Sequence, residues 1–419
     1  MDMQQRNRLR TLAATYAGYA CGAVMQQRRE KWLRHNGMRE RTFPFHIEDN
    51  GSYLRDLTPP LQCADPAGRQ LEGRLLHAII SYEQINDDRI IPSRFVVGWN
   101  VKVGPVCEEL QYTRADDGHG GTLGFETNKP IRDIDADFGK LKKRTPVLDR
   151  AGTEQQAELA TDAFQGLLPV AVGNVGSFHS DGVANKAVLL MGMEELYLQM
   201  ALNPEAVQRF FTFFAEDNMA LGQWEEDQGL LILNHDGNHG YCSGSSLYSD
   251  EIPGREILPG ERIRTTDRYG YLEAQEAVGL SPDMFAEFLM PHFRKMAARF
   301  RLFKFGCCEP VHHIMPLLKE LPGLRKVSVT PWCDQRKLAA YGMTDIIWSR
   351  KPEPLKLCGE AFDPGELRTH LRETLEIGAG YFIEFVFRDT CRLTGGMQDR
   401  VAETCRVVRD LTGHPAGAR

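Results

Sequence analysis

"RLFKFGCCEP", from Arg301 to Pro310, joins a short hydrophobic run to two cysteines, a carboxylate and a proline. A short apolar and aromatic run bounded by glycine is typical of a buried strand. The Glu-Pro pair is typical of the first turn of a helix. The helix dipole stabilises a carboxylate there, and the N–H group that proline lacks would have no partner within the helix. The stretch therefore predicts a strand, a polar turn and a helix in succession.

The same unit recurs along the chain. Eight short runs are rich in apolar and β-branched residues, at 94–99, 167–173, 229–234, 269–275, 301–306, 324–329, 345–349 and 381–387. Helical segments separate most of them, and several begin with an Asn-Pro, Ser-Pro or Asp-Pro pair that is typical of a capped helix. This alternation predicts an α/β fold, a (β/α)8 TIM barrel. A doubly wound open sheet is the alternative, although the first βα turn has no Gly-x-Gly-x-x-Gly motif.

The N-terminal part of the chain has a different pattern. Residues 8–20 and 71–85 carry apolar residues at helical spacing, whereas residues 41–66 are rich in Pro, Asp and Asn. We therefore expect a helical N-terminal extension over residues 1–92, packed on a barrel domain that spans residues 93–419.

Composition excludes several classes of function. The 50 basic and 57 acidic residues give a net charge of −7, and no long basic run is present, so nucleic acid is an unexpected partner. No run of apolar residues is long enough for a transmembrane helix, and the polar start of the chain lacks the apolar core of a secretory signal. We expect a cytoplasmic protein whose ten cysteines are mostly reduced.

Polar residues follow most of the predicted strands, where a barrel collects its chemistry. We interpret three of these residues as catalytic, namely Asp236, Glu276 and Arg388. Five others are candidates for substrate binding, namely Asn234, His239, Gln275, Trp332 and Arg350. The Gly-rich segment 235–244, which contains His239, is also a candidate substrate lid.

Thiols and imidazoles at the strand ends also suggest a metal. A catalytic zinc ion needs three protein ligands and one open position. Cys307 or Cys308 and Cys391 could supply thiolates, with Glu276 or His235 as the third ligand. The alternative is that Cys391 is a small buried residue. Adjacent residues of a strand point to opposite faces, so only one of the two neighbouring cysteines faces the mouth unless the chain has already turned.

The chain resembles the uroporphyrinogen decarboxylase superfamily, whose members are TIM barrels, and within it the methyltransferase-like branch. The resemblance rests on the segments 61–79, 191–211, 274–293, 305–334 and 349–354. True uroporphyrinogen decarboxylases carry an Arg-Gln-Ala-Gly-Arg-type stretch near the N-terminus, which is missing here. Porphyrinogen decarboxylation is therefore not expected.

The resemblance implies a site. Corrinoid-linked methyltransferases of this superfamily bind zinc through a His-x-Cys pair and a later cysteine, and related O-demethylases use Glu, Cys and Cys. Phe305 stands at the position of that histidine. Cys307 and Cys391 match the two thiolates, and Glu276 is the candidate for the glutamate. Zinc would then be the cofactor, and the corrinoid would be carried by a separate partner protein.

Three functions follow as hypotheses. The first is a zinc-dependent methyltransferase or demethylase that acts on a small molecule and passes the methyl group to a corrinoid protein. The second is a metal-free decarboxylase or lyase for a small carboxylated substrate, in which the cysteines only pack. The third is a non-catalytic barrel that binds a ligand. A homodimer is a further expectation.

Overall fold

The structure, a computed structural model, describes residues 1–116, 122–180, 182–235 and 241–413. Its strands are β1 (Phe45–Ile47), β2 (Phe95–Val97), β3 (Asn100–Val103), β4 (Tyr112–Asp116), β5 (Thr122–Thr127), β6 (Pro146–Asp149), β7 (Val170–Val172), β8 (Tyr241–Cys242), β9 (Ser245–Ser246), β10 (Tyr269–Leu272), β11 (Leu302–Phe305), β12 (Leu324–Val329), β13 (Ile347–Arg350) and β14 (Ile383–Phe387).

The helices are α1 (Met3–Cys21), α2 (Ala23–Asn36), α3 (Tyr53–Leu57), α4 (Pro66–Gln84), α5 (Ile134–Asp137), α6 (Arg150–Phe164), α7 (Val183–Met191), α8 (Met193–Leu202), α9 (Pro204–Asp227), α10 (Pro282–Phe288), α11 (Met290–Ala297), α12 (Met315–Lys319), α13 (Gln335–Ala340), α14 (Leu355–Cys358), α15 (Pro364–Ile377) and α16 (Gln398–Thr412). Short 3-10 turns lie at Phe138–Lys140, Phe178–Ser180, Thr265–Asp267, Gln275–Ala277 and Gly395–Met397. Within the described part of the chain, no helix is both long and apolar enough to cross a membrane.

The main sheet has six strands in the order β1-β14-β13-β12-β11-β10, and every pair in it is parallel. Helices connect its consecutive strands from β10 to β14, as right-handed βα units require. Strands β2 and β7 form a separate parallel pair. The result is a mixed α/β fold with a curled parallel sheet, as in part of a TIM barrel.

A closed barrel of eight strands is not shown by the described residues. Seven of the eight predicted runs contain a strand, but the run 229–234 contributes only an isolated bridge between Leu231 and Asn174. The side chain of Asn234 takes the place of a strand there. Its amide donates to the carbonyl of Tyr269 at 2.9 Å and accepts from the Tyr269 N–H at 3.0 Å, so it pairs the free edge of β10.

The predicted helical extension also contains a strand. Phe45–Ile47 form β1 and pair with β14, although this short run lies in a stretch that composition marks as irregular. The carboxylates of Asp87 and Asp88 accept from the N–H groups of Ile47 and Phe45, at 2.8 and 3.0 Å. Side chains therefore pair both edges of the main sheet, and residues before 92 belong to that sheet.

Strand alternation gives the sheet one apolar and one charged face. On the outer face Phe305 packs its ring against the rings of Phe285 and Phe293 from α10 and α11. On the inner face Lys304 and Lys326 are fully buried. A buried ammonium group is costly unless it is paired and hydrogen-bonded, so these two lysines need partners inside the sheet.

The hairpin of β8 and β9 supplies those partners. Lys304 Nζ donates to the carbonyls of Cys242 and Ser243, at 3.1 and 3.2 Å. Lys326 Nζ donates to the Ser246 carbonyl at 2.8 Å and to Glu384 Oε2 at 2.6 Å. The hairpin is thus held against the inner face, and its connecting residue Ser243 is placed at the carboxyl ends of the strands.

We expect the Lys326–Glu384 pair to be a main contributor to stability. Glu384→Gln removes the counter-charge of a fully buried ammonium group, so the free energy of unfolding should fall by about 3 kcal/mol. Urea denaturation measures the change. Glu373→Gln, which breaks the exposed pair with Arg336, is the control and should change it by less than about 1 kcal/mol. Equal effects of the two substitutions would contradict the prediction.

Candidate functional site

The chain turns sharply where β11 ends. Gly306 has a φ of +94°, a conformation that glycine adopts without strain, and a Cβ there would lie 3.2 Å from the Cβ of Ser328. After this turn Cys307 and Cys308 no longer alternate as strand residues do. Their sulfur atoms lie on the same side, 3.6 Å apart, and both cysteines are free thiols. The expectation that only one of them faces the mouth is therefore corrected.

A short chain of hydrogen bonds surrounds the sulfur of Cys307. Lys351 Nζ donates to Ser243 Oγ at 2.6 Å, and Ser243 Oγ donates to Cys307 Sγ at 3.5 Å. Lys351 Nζ also donates to the backbone carbonyl of Cys307. The hairpin and the end of β13 thus meet at this one thiol.

These contacts favour the thiolate of Cys307. The hydrogen bond from the Cys308 thiol is the largest cause that lowers the pKa of Cys307, and the Lys351 charge and the hydroxyls of Ser243 and Tyr271 add to it against the effect of burial. The pKa of Cys308 is raised in turn, because Cys308 retains the shared proton. The thiolate form is the nucleophilic form of cysteine, and the contacts of Lys351 and Ser243 favour that form at Cys307.

Glu309 ties the turn to the neighbouring strand. Its carboxylate is buried and accepts from the N–H groups of Cys307 and Ala274, at 2.7 and 2.8 Å. Burial raises its pKa. The sequence predicted that Glu309 and Pro310 open a helix, but α12 begins only at Met315. The Glu309 carboxylate binds backbone groups of two strand ends instead of capping a helix.

Glu273, directly after β10, is a functional candidate that the sequence analysis missed. Burial is the main cause that raises the pKa of Glu273 to about 8, and the nearby groups Glu276, Glu309 and Cys307 add to it. The carboxyl is therefore mostly protonated at neutral pH, beside a thiol whose pKa is lowered. Two neighbouring groups whose pKa values are shifted in opposite directions are the pattern expected of a general acid and a nucleophile or base. No signal in the sequence marked it, because Glu273 falls inside the predicted run 269–275 and only the structure ends β10 at Leu272.

Arg388 lies at the end of the eighth predicted strand, as expected. Its Nε is 3.4 Å from Glu48 Oε2 and 3.8 Å from Asp389 Oδ1, and the side chain is half-buried. Burial acts to lower the pKa of Arg388, but Glu48, Cys307 and Asp389 together raise it. Asp389 in turn accepts from Cys308 Sγ at 3.8 Å. A guanidinium group therefore stands next to the two thiols.

Arg350 and Lys351 are adjacent in the sequence, and their side chains point to opposite faces of the sheet. Arg350, predicted to bind substrate, points to the outer face, where its guanidinium donates to the carbonyls of Val329 and Thr330 and to Thr374 of α15. Lys351, one residue later, reaches Cys307. Arg350 is therefore held by backbone carbonyls and by α15, whereas Lys351 contacts Ser243 and the backbone of Cys307.

The other predicted residues are dispersed. Asn234 is buried against β10, and Trp332 is 75% exposed beyond β12. Gln275 is half-buried, and its N–H donates to Glu273 Oε2 at 3.0 Å. Asp236 and His239 lie outside the described residues.

The predicted zinc ligands do not come together with Cys307. Glu276 Oε1 accepts from Asn185 at 2.7 Å, and the two ring nitrogens of His235 lie 3.2 and 3.1 Å from the backbone carbonyls of Ser249 and Asp267. Cys391 is exposed. Across residues 1–116, 122–180, 182–235 and 241–413, no three His, Cys, Asp or Glu side chains are placed to hold a metal ion. This donor set does not fit the zinc site that the resemblance implies.

Comparisons with known proteins found a similarity to solved structures. No family model matches the chain, and no curated protein matches it. One solved structure similar to this chain is a methyltransferase from Methanosarcina mazei, with a TM-score of 0.48 and 11% sequence identity. The match covers 91% of this chain and 98% of that one.

Cys307 should be alkylated faster at neutral pH than an ordinary thiol, because its lowered pKa keeps the thiolate at lower pH. Lys351→Met should raise that pKa, so labelling by iodoacetamide should slow at acidic pH and the pH of half-maximal rate should move upward, with little effect at high pH. Peptide mass spectrometry measures the rate. Lys356→Met, on the surface helix α14, is the control. Equal rates in the two variants would contradict the charge argument.

Glu273 should make stability depend on pH. Its pKa is raised above its ordinary value, so the fold favours the protonated form and loses stability as the pH rises from about 5 to about 8. Glu273→Gln removes this loss, and its melting temperature relative to wild type should rise across that window. The exposed Glu360→Gln should show no such trend. A difference in melting temperature between Glu273→Gln and wild type that stays constant from about pH 5 to about pH 8 would show that Glu273 is already ionised at the lower pH.

Proposed function

We propose that the protein is an enzyme that transfers a methyl group from a small anionic molecule, and that the Cys307 thiolate receives the group. The observation that carries the proposal is the pairing of a thiol whose pKa is lowered with a carboxyl, Glu273, whose pKa is raised to about 8. Both follow strands of the same parallel sheet, at its carboxyl edge. Active sites of barrel enzymes lie at that edge.

Cys307 is the nucleophile in this proposal. Its sulfur attacks the methyl carbon of a methyl ether, so an S–C bond forms and the C–O bond breaks. The electron pair of that bond stays on the leaving oxygen, which takes the proton of Glu273. The products are S-methylcysteine and an alcohol, with Glu273 left ionised. General acid assistance of this kind contributes about 100-fold or more to a rate.

Arg388 is the group best placed to hold the substrate. A guanidinium binds a carboxylate through two parallel hydrogen bonds, and such a bond fixes the substrate's orientation. Glu48 Oε2 is 3.4 Å from Arg388 Nε, so the two side chains form an ion pair without a hydrogen bond between these two atoms. The positive charges of Lys351 and Arg388 also favour an anionic substrate over a neutral one.

The next acceptor of the methyl group is a separate corrinoid protein in this proposal, in line with the family resemblance. A corrinoid supplies a strongly nucleophilic metal centre that accepts methyl groups when it is bound. The proposed reaction includes no step that uses zinc, because the described residues contain no group of three side chains placed to hold a metal ion. What this chain supplies is the thiolate, the acid and the anion-binding cations.

The test supplies two methyl donors to the reduced, full-length protein without oxygen. One donor is methoxybenzoate with a labelled methyl carbon, and the other is methylcobalamin, which probes the step shared with a corrinoid. Mass spectrometry should find one labelled methyl group on the Cys307 peptide. Cys307→Ser should abolish it, and Cys391→Ser should retain it. Absence of methylation from both donors would overturn the proposal.

The same geometry supports a second candidate, a metal-free decarboxylase. Arg388 would hold the substrate carboxylate, and protonated Glu273 would deliver a proton to the carbanion that forms when carbon dioxide leaves. In that case Cys307→Ser would keep its activity, whereas Glu273→Gln would lose it. Deuterium from heavy water would appear at the carbon that lost the carboxylate.

A further inference from the structure

We propose that Cys307 and Cys308 form a dithiol site for trivalent arsenicals. The two sulfur atoms are 3.6 Å apart and unbonded, since a disulfide bond is about 2.05 Å long. Two thiols at this separation can bind one soft atom between them. The inference goes beyond methyl transfer, because it needs covalent bonds to both sulfur atoms whereas methyl transfer forms a bond to Cys307 only.

The surroundings hold one sulfur and leave the other accessible. Cys307 is buried, and Ser243 and Lys351 hold its sulfur and its carbonyl. Cys308 is half-buried, and its sulfur lies 3.8 Å from Asp389, an exposed residue. A small ligand therefore reaches Cys308 first and closes onto Cys307, whose sulfur is already in position.

The chemistry of the pair favours trivalent arsenic over a divalent metal ion. Thiolates are soft ligands. Zinc needs three protein ligands or more, and the described residues contain no group of three His, Cys, Asp or Glu side chains placed to hold a metal ion. An organic arsenical already carries one carbon substituent and completes its three bonds with two sulfurs.

The binding step is an exchange without oxidation or reduction. A hydrated arsenical, R–As(OH)2, loses two As–O bonds and gains two As–S bonds. Because Cys307 is a thiolate, one hydroxyl group leaves as hydroxide and the other leaves as water with the proton of Cys308, and arsenic stays trivalent. No further reactant is needed.

The experiment adds phenylarsine oxide to the reduced, full-length protein after the reductant is removed. We expect one phenylarsenic group per chain by intact mass, located on the peptide that contains Cys307 and Cys308. Dimercaptopropanol should release it, and mercaptoethanol should not. Cys308→Ser should weaken binding by about 100-fold or more, because the second bond is intramolecular. Cys391→Ser should bind as wild type does.

Cys242 provides the decisive control, because it is the other thiol that interacts with Cys307. Binding that survives Cys308→Ser and is lost in Cys242→Ser would overturn the proposal in favour of a different pair. Binding in neither wild type nor Cys242→Ser would overturn it outright. Because Cys308 is half-buried, Cys308→Ser is expected to fold, and near-ultraviolet circular dichroism checks this. Methylation of Cys307 in the wild-type protein, measured before phenylarsine oxide is added, tests the proposed function separately.

Discussion

Two buried ammonium groups on the inner face of the sheet organise the rest of this structure. Lys304 and Lys326 lie on neighbouring strands, and only the hairpin of β8 and β9 together with Glu384 satisfies them in the described part of the chain. Leaving either group without partners would be strongly destabilising. The hairpin is therefore held in one position, and the position of Ser243 follows from it.

The candidate site depends on that position. Ser243 links Lys351 to the sulfur of Cys307, so the same contacts that stabilise the fold also set the charge on the thiol. The charge of Lys351 and the hydroxyl groups of Ser243 and Tyr271 favour the thiolate of Cys307 over the neutral thiol. The buried carboxyl of Glu273 avoids adding a further negative charge by remaining protonated. Fold stability and reactivity are coupled through one hairpin.

The sequence predicted the strands of the main sheet well where runs of apolar residues are long enough to be recognised. It failed at β1, which has only three residues, and at the run 229–234, where the Asn234 side chain pairs the sheet edge in place of a strand. It also identified Cys307 and Arg388 as candidates because they follow strands. It missed Glu273 because the predicted run 269–275 extended three residues beyond the end of β10 at Leu272, and because the burial that raises its pKa is decided by the tertiary structure.

Local pattern alone determined the α/β class, the positions of most strands and the polar character of their ends, because these depend on neighbours within one turn or one strand. Tertiary structure decided which of those polar residues meet. The positive φ of Gly306 brought two adjacent sulfurs to one side, and strand alternation sent Arg350 outward and Lys351 inward. The residues predicted to bind zinc form no group of three placed to hold a metal ion, because their spacing in the sequence carries no information about distances across a sheet.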